Sequence, residues 1–133
     1  MKPARTTMNT ILCLKREDRW KMIIKDLLDF LNDDTALDTP VYTEVPKELT
    51  DFVLLDQTGT EQTNHITTTT IAIQSYGATL WDALVLNDKV KAAMDRFVWL
   101  KNVAKVELET DYNFTDTETK QYRWQAVFNI THY

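Results

Sequence analysis

The side chains that most often perform chemistry in proteins are scarce in this chain. Its two histidines, His65 and His132, lie far apart, and Cys13 is the only cysteine. A zinc site needs three or four such ligands at short, regular spacings, which these residues do not show. The single cysteine also excludes an intramolecular disulfide and favours a reducing, cytoplasmic compartment. We therefore predict no transition-metal site.

Nucleophiles and phosphate-binding loops are equally sparse. Ser75 is the only serine, and its setting "QSYG" lacks the flanking glycines of the strand-to-helix turn on which a nucleophilic serine usually sits. The chain has 2 glycines, Gly59 and Gly77, so no glycine-rich nucleotide loop can be written. The sequence thus predicts neither a serine hydrolase nor a nucleotide-binding enzyme.

Carboxylates are the one plentiful reactive group. Asp111, Asp116 and Glu118 flank a predicted hairpin tip, and Asp33 and Asp34 close a predicted helix. Such clusters bind Ca²⁺ or act as a paired acid and base, but no loop has the roughly twelve-residue spacing of a calcium site. Solvated turns explain them better, so we predict no catalytic residue, no cofactor and no metal. A small ligand- or metal-binding site at Asp111, Asp116 and Glu118 is the alternative.

The elements that position these side chains must fit one compact domain. The chain has 133 residues, of which 44% are hydrophobic, and two domains would be cramped. Its net charge of −5 argues against a protein that grips nucleic acid, because cations drive that binding. No apolar stretch approaches the ~18 residues of a membrane span, and Ile11–Leu14 is too short for a secretory signal. We predict a flexible N-terminal extension over residues 1–9 and a single domain over 10–133.

Hydrophobic periodicity predicts helices alternating with strand-rich segments. In the first helix, apolar residues recur at intervals of three and four over "RWKMIIKDLLDFLNDD". In the second, Thr79 is the predicted N-cap, with Asp82 three residues on as in a capping box. The order predicts an α+β domain: a mostly antiparallel four- to five-stranded sheet with two main helices packed on it. The predicted elements are a helix over about 11–32, an edge strand over 41–46, a strand over 51–57, a strand over 66–73, a helix over 77–97 and strands over 102–114 and 121–133.

Alternation within the strands predicts one core face and one polar face. Trp81 lies one residue off the apolar stripe of the second helix, which leaves two interpretations, a core position, slightly favoured, or a half-exposed contact anchor. In the fourth strand the predicted inward residues are Ala104, Val106 and Leu108. On the closing strand they are Tyr122, Trp124, Ala126, Phe128, Ile130 and His132. The predicted stripe of the second helix is Leu80, Ala83, Leu84, Val90, Met94 and Phe97.

A long polar segment separates the strands at 51–57 and 66–73. From Asp56 to His65 it has no aliphatic side chain and no Phe, Tyr or Trp, so we predict a hairpin with a long polar tip. Polar-faced strands, a polar loop and no converging catalytic groups are typical of a protein that binds copies of itself or neighbouring proteins. The predicted partner-binding residues are Gln57, Thr58, Gly59, Thr60, Glu61, Gln62, Thr63, Asn64, Trp81, Asp116, Thr117 and Glu118.

Three stretches resemble the tail terminator, or tail-completion, proteins of long-tailed bacteriophages, especially the minor tail-component proteins of phages of Gram-positive hosts. They are "VYTEVPKELTDFVLLDQTGTEQTN", "ITTTTIAIQSYGATLWDALVLNDKVKAAM" and "YNFTDTETKQYRWQAVFNI". The resemblance covers residues 17–132. It consists of a strand ending in "IQSYG", a helix directly after it with Ala83, and an aspartate turn before the terminal strand.

The resemblance implies a non-enzymatic virion protein of the head-proximal end of the tail, assembled in the host cytoplasm. Its members form a ring, expected to be hexameric, that caps the tail tube, stops tube polymerisation and offers the head-joining surface. The implied partners are further copies of the chain, the major tail tube protein and head-tail connector proteins. DNA would pass through the lumen without specific binding, and no membrane is involved. The alternative within the same machine is a head-tail connector or stopper component.

Overall fold

The computed structural model describes residues 19–33, 37–47, 51–63, 66–100 and 103–133. In these ranges it has two helices and one five-stranded sheet of order β1-β2-β3-β5-β4. The predicted α+β class is confirmed. Several predicted features lie outside the described residues. They are the extension over 1–9, the start of the first helix before Arg19, and Cys13, Asp34, Asn64 and His65. The elements are α1 (Arg19–Asp33), β1 (Val41–Tyr42), β2 (Phe52–Thr63), β3 (Ile66–Gly77), α2 (Leu80–Phe97), β4 (Val103–Asn113) and β5 (Tyr122–His132).

The sheet is antiparallel except at one short edge. β2 pairs with β3, β3 with β5, and β5 with β4, all antiparallel. β1 is parallel to β2 and covers only Val53 and Leu54. The predicted edge strand over 41–46 is thus present in shortened form, because Pro40 precedes it and Pro46 follows within a few residues and neither can donate to a ladder.

The predicted polar loop between β2 and β3 is largely strand. β2 continues through Thr63, and Gly59 to Thr63 pair in order with Thr70 to Ile66. A β-bulge at Thr58 interrupts the regular pairing of β2 with β3 between Gln57 and Gly59. The prediction of a loop was wrong because it followed polarity: a threonine-rich segment needs no apolar residues to pair when its neighbour is the β-branched stretch after Ile66.

α2 starts directly after the sheet, as predicted. The Thr79 side chain accepts a hydrogen bond from the backbone N–H of Asp82 at 3.1 Å, which caps the helix. The chain can turn this tightly because Gly77 has no Cβ; one there would lie 2.6 Å from the backbone nitrogen of Ala83. α2 therefore runs back along β3, from the end where β3 finishes.

One face of the sheet carries the core. α1 buries Ile23, Leu27 and Leu31, as its periodicity predicts. In the C-terminal half of β5 the predicted inward residues Ala126, Phe128, Ile130 and His132 are buried, whereas Trp124 is only half-buried. Phe30 and Phe97 join the two helices, with ring centroids 5.3 Å apart. The core residues are Ile23, Leu27, Leu31, Leu37, Val41, Val53, Leu55, Ile71, Ile73, Leu86, Val90, Ala93, Met94, Phe97, Val103, Ala126, Phe128 and Ile130.

Two patterns differ from the prediction. In β4 a bulge at Ala104 shifts the alternation, so Val103 is buried while Ala104 is exposed. Leu108 pairs with Phe128 and lies on the helix-facing side as predicted, but it is 43% exposed there. β4 is also the last strand of the sheet, where α2 does not cover it fully. In α2 the buried face is rotated towards Leu86 and Asn87, so Leu80 is exposed and the core position for Trp81 is wrong.

Candidate partner-binding surfaces

The strand order gives the domain two opposite ends, which organise its exposed surface. At the Trp81 end, β3 finishes, α2 begins and the turn between β4 and β5 closes, since Gly77 pairs with Tyr122. At the hairpin end, β2 turns into β3, β5 finishes and β4 begins, since Thr67 pairs with His132 and His132 with Val103. Every predicted partner-binding residue with a described position lies at one end or along β2.

A shallow groove opens beside Trp81. It has a volume of about 290 Å³, and Trp81 is 71% exposed on its wall. Asp51, at the groove, accepts a hydrogen bond from the backbone N–H of Ala78 at 3.0 Å, which fixes the start of the turn into α2. An exposed indole beside a few polar groups is typical of a protein contact. The lining residues are Thr39, Asp51, Tyr76, Trp81, Asp82, Val85, Leu86 and Lys89.

The β4–β5 turn, at the same end, is internally hydrogen-bonded. Asp116 and Gln121 bond each other through both backbone groups, at 3.1 and 3.2 Å. The Asp116 carboxylate accepts from the backbone N–H of Glu118 at 3.0 Å. Hydrogen bonds from Thr119, first from its side chain, and from Glu118 hold the pKa of Asp116 below its ordinary value. The Asp116 carboxylate therefore stabilises the turn through these hydrogen bonds, while Thr117 and Glu118 are exposed on the turn.

Arg123 braces the Trp81 end of the sheet from the face without helices. Its Nε donates to the backbone oxygen of Phe114 at 2.7 Å, and an Nη donates to the Tyr76 hydroxyl at 3.2 Å. Its guanidinium lies 4.6 Å from the Phe114 ring centroid. Tyr76 in turn stacks on Phe52 at 4.2 Å. Hydrogen bonds and ring contacts therefore hold the side chains at this end of the sheet in place.

The hairpin end carries its own exposed apolar side chains. Trp99 is 80% exposed just after α2, and Tyr133 is 64% exposed after β5. Leu100 belongs here too, because its backbone oxygen accepts from Val103 at the start of β4, at 3.1 Å. Ile66, the first residue of β3, is 41% exposed. Sequence analysis did not single out these residues; the signal was an aromatic residue directly after a predicted helix end.

The two sides of the sheet are strand edges among the described residues. β1 reaches only Leu54, so from Leu55 to Thr63 the only described partner of β2 is β3. β4 has β5 as its only described partner along its whole length. Residues 58–63 are all exposed. Thr60, within this stretch, makes a contact of its own, and a strand edge can offer its remaining backbone donors and acceptors to another chain.

The carboxylates predicted as an alternative ligand site do not converge. Asp111 lies on the helix-facing side, where its Oδ2 accepts from Lys91 Nζ at 3.0 Å and from Asn87 Nδ2 at 3.1 Å. The Lys91 hydrogen bond lowers the pKa of Asp111, and the same contact raises the pKa of Lys91. Asp116 and Glu118 belong to the turn beyond β4. In the described ranges, no group of three or more His, Cys, Asp or Glu side chains could hold a metal ion.

The structure thus separates the predicted partner-binding residues into two sets. Trp81 and the turn residues Asp116–Glu118 share one end of the sheet. Gln57–Thr63 run along the β2 edge to the other end, and Asn64 lies outside the described residues.

No protein-family model matches the chain, and no curated protein sequence matches it significantly. Neither described helix is long and apolar enough to cross a membrane.

Proposed function

We propose that this chain is a structural tail terminator of a long-tailed bacteriophage. In this role copies associate side by side into a ring, expected to be hexameric, on the head-proximal end of the tail tube. The ring stops tube polymerisation and offers its other side to the head-tail connector. DNA passes through the lumen, and the side chains transform no substrate.

The observation that carries the proposal is the distribution of exposed apolar side chains. Most of them lie at the two opposite ends of one sheet, although Val45 and Leu108 lie elsewhere, and each end has a tryptophan that is at least 71% exposed. Exposed aromatic clusters mark protein contacts, and two such clusters facing opposite ways suit a joint between two different partners. At the Trp81 end they are Leu80, Trp81, Val85, Tyr112 and Phe114, and at the hairpin end Ile66, Trp99, Leu100 and Tyr133.

The sides of the sheet support the same proposal. A joint that closes around a tube also needs lateral contacts between identical copies, and a head-to-tail contact repeated around an axis closes into a ring. The β2 edge and the β4 edge are different surfaces on opposite sides of one sheet. A head-to-tail contact uses two different surfaces of this kind.

The test combines the protein with isolated tail tubes and, separately, with isolated heads. We expect annular particles at one end of the tubes in negative-stain images and a mass increase measured by light scattering. A protein that stays monomeric and leaves the tube ends bare at high concentration contradicts the proposal. Binding to heads but not to tubes would instead identify a head-tail connector or stopper component.

A further inference from the structure

We infer that the groove beside Trp81 binds an arginine side chain of the protein that docks at the Trp81 end of the sheet. The identity of that protein rests on the proposed function, whereas the chemistry of the groove can be measured with the chain alone. The inference follows from the size of the groove, its aromatic wall and its carboxylates.

The groove has room for one side chain of a partner. Its volume of about 290 Å³ lies at the lower limit of the roughly 300–1,000 Å³ that small-molecule pockets occupy. Two of its lining residues, Tyr76 and Leu86, are buried and close its base, while Trp81 and Val85 are exposed beside them. A side chain that enters the groove therefore packs against a tryptophan ring that otherwise faces water.

The Trp81 ring is free to receive a cation. Within the described part of the chain, no aromatic ring stacks on it and no cation lies over it. The face of a tryptophan ring attracts cations more strongly than the face of tyrosine or phenylalanine. Arginine suits this position best, because its planar guanidinium stacks on the ring while its N–H groups bond to acceptors beside the ring.

Two carboxylates supply those acceptors. Asp51 and Asp82 both line the groove. Asp51 uses Oδ1 to accept from the backbone N–H of Ala78 at 3.0 Å, and its Oδ2 bonds to no described residue. The carboxylate of Asp82 makes neither a hydrogen bond nor an ion pair with any residue that the structure describes, while its backbone N–H is fixed by Thr79. The turn into α2 thus holds two carboxylates beside the tryptophan with acceptor oxygens to spare.

The charges at the groove favour a cation. Lys89 also lines the groove, but its Nζ lies 3.6 Å from Asp38 Oδ1, so these two charges offset each other. The start of α2 adds roughly +0.5 of an elementary charge, which leaves about −1.5 from Asp51 and Asp82. An anionic group would be repelled there. An apolar side chain would remove water from the carboxylates without replacing its hydrogen bonds.

Binding of short peptides tests this chemistry directly. The probe is glycyl-arginyl-glycine with both ends blocked, and its control carries citrulline, which has nearly the shape of arginine but no charge. Binding is followed by the shift of the Trp81 indole N–H signal in NMR spectra, which Trp81→Phe assigns. We expect the arginine peptide to bind about tenfold more tightly than the citrulline peptide.

Substitution of the carboxylates should remove this preference. Asp51→Asn and Asp82→Asn keep the size of each side chain, and the amide oxygen at position 51 can still accept from Ala78. Each should weaken binding of the arginine peptide by about threefold, and D51N/D82N should abolish most of the preference over citrulline. The matched control is Asp95→Asn, an exposed aspartate of α2 that does not line the groove, and it should bind both peptides as the wild type does. Circular dichroism of every variant checks that the fold is retained.

The same variants test the contact in the assembly. D51N/D82N should weaken binding to the partner, tail tube or connector, that Trp81→Ser also weakens, and it should keep binding to the other partner. Asp95→Asn should keep both associations.

The possible outcomes separate the two proposals. An arginine peptide that binds no more tightly than the citrulline peptide overturns the inference, and so does a preference that survives in D51N/D82N. A lysine peptide that binds as tightly as the arginine peptide overturns the assignment to arginine. In each of these cases capped tube ends leave the proposed function intact. Bare tube ends and unbound heads with a wild-type protein that prefers the arginine peptide overturn the proposed function and leave the chemistry of the groove standing.

Discussion

The two faces of the sheet share the same strands but are built from opposite chemistry. On the face under α1 and α2, Ile71, Ile73 and Phe128 are at most 3% exposed and form a continuous apolar core. On the other face the same strands carry hydrogen-bonded polar pairs. Gln74 donates to Gln125 at 2.8 Å, and Thr70 donates to Asn129 at 2.7 Å.

This difference separates two ways of holding a sheet together. The helix-facing side gains stability from apolar area removed from water. This contribution is large and does not depend on the orientation of the groups in contact. The polar side gains little per hydrogen bond, because water competes for the same groups, but each pair fixes which residues face each other. The polar side therefore maintains register and flatness, and the helix-facing side supplies most of the free energy of folding.

The largest effect expected from this comparison is the truncation of Phe128. Phe128→Ala removes a ring that is 3% exposed and leaves a cavity, so we expect the free energy of unfolding to fall by roughly 3–5 kcal/mol. Val127→Ala, the next residue, points to the other face and is only half-buried, so its cost should be clearly smaller. Urea denaturation of both variants measures the difference. Equal costs would contradict the division of the two faces.

Removing one side chain from the row of polar residues formed by Tyr76, Gln74 and Gln125 should reduce stability by less, but the effects of two such substitutions should be coupled. Gln74 is 8% exposed, accepts from the Tyr76 hydroxyl at 2.8 Å and donates to Gln125. Gln74→Ala leaves both neighbours short of a partner, so we expect a loss of about 1–3 kcal/mol. The double variant with Gln125→Ala should lose less than the sum of the two single losses. Additive losses would mean that the row is not a network.

His132 offers a pH-dependent test within the helix-facing side. It is 2% exposed, and its Nε2 lies 2.9 Å from the Thr69 hydroxyl. Burial lowers its pKa from 6.5, so as the pH falls below 6.5 the unfolded chain binds a proton before the folded chain does. Stability is therefore complete above that pH and falls as the pH approaches the lowered value.

The measurement is the urea midpoint between pH 7.5 and 5. We expect a decline in the wild type that His132→Gln removes, because glutamine cannot be protonated. The pKa of Asp111 is lowered from 3.8, so the stability linked to Asp111 is lost only in stronger acid and does not contribute in this range. A decline that persists unchanged in His132→Gln would assign it to other groups.

How far the sequence predicts this molecule depends on which signal each part leaves. The helices, the α+β class and the core face of β5 leave periodic apolar patterns, which were sufficient. The second half of β2 has no periodic apolar pattern. Without knowledge of the neighbouring strand, a polar strand rich in threonine therefore cannot be distinguished by sequence from a polar loop. For Trp81 the sequence left open a core position, slightly favoured, and a half-exposed contact anchor, and the structure leaves its side chain 71% exposed. Edges and ends are tertiary properties: the sequence offered for Trp99 only its position directly after a predicted helix end, and for Tyr133 it offered no such signal.

The smallest expected change in stability concerns the two exposed tryptophans, and it is also the most informative about function. Trp81→Ser and Trp99→Ser each remove a ring that is more than two-thirds exposed, so the free energy of unfolding should change by no more than about 0.5 kcal/mol. If the ends meet different partners, one variant loses binding to tail tubes and keeps binding to the connector, and the other does the reverse. Measuring both associations for both variants, with Val45→Ser as the control at an exposed apolar residue of neither end cluster, distinguishes this from general loss of solubility. Parallel loss of both partners in both variants would mean that the two ends act as one surface, which the length of the sheet between them makes physically difficult.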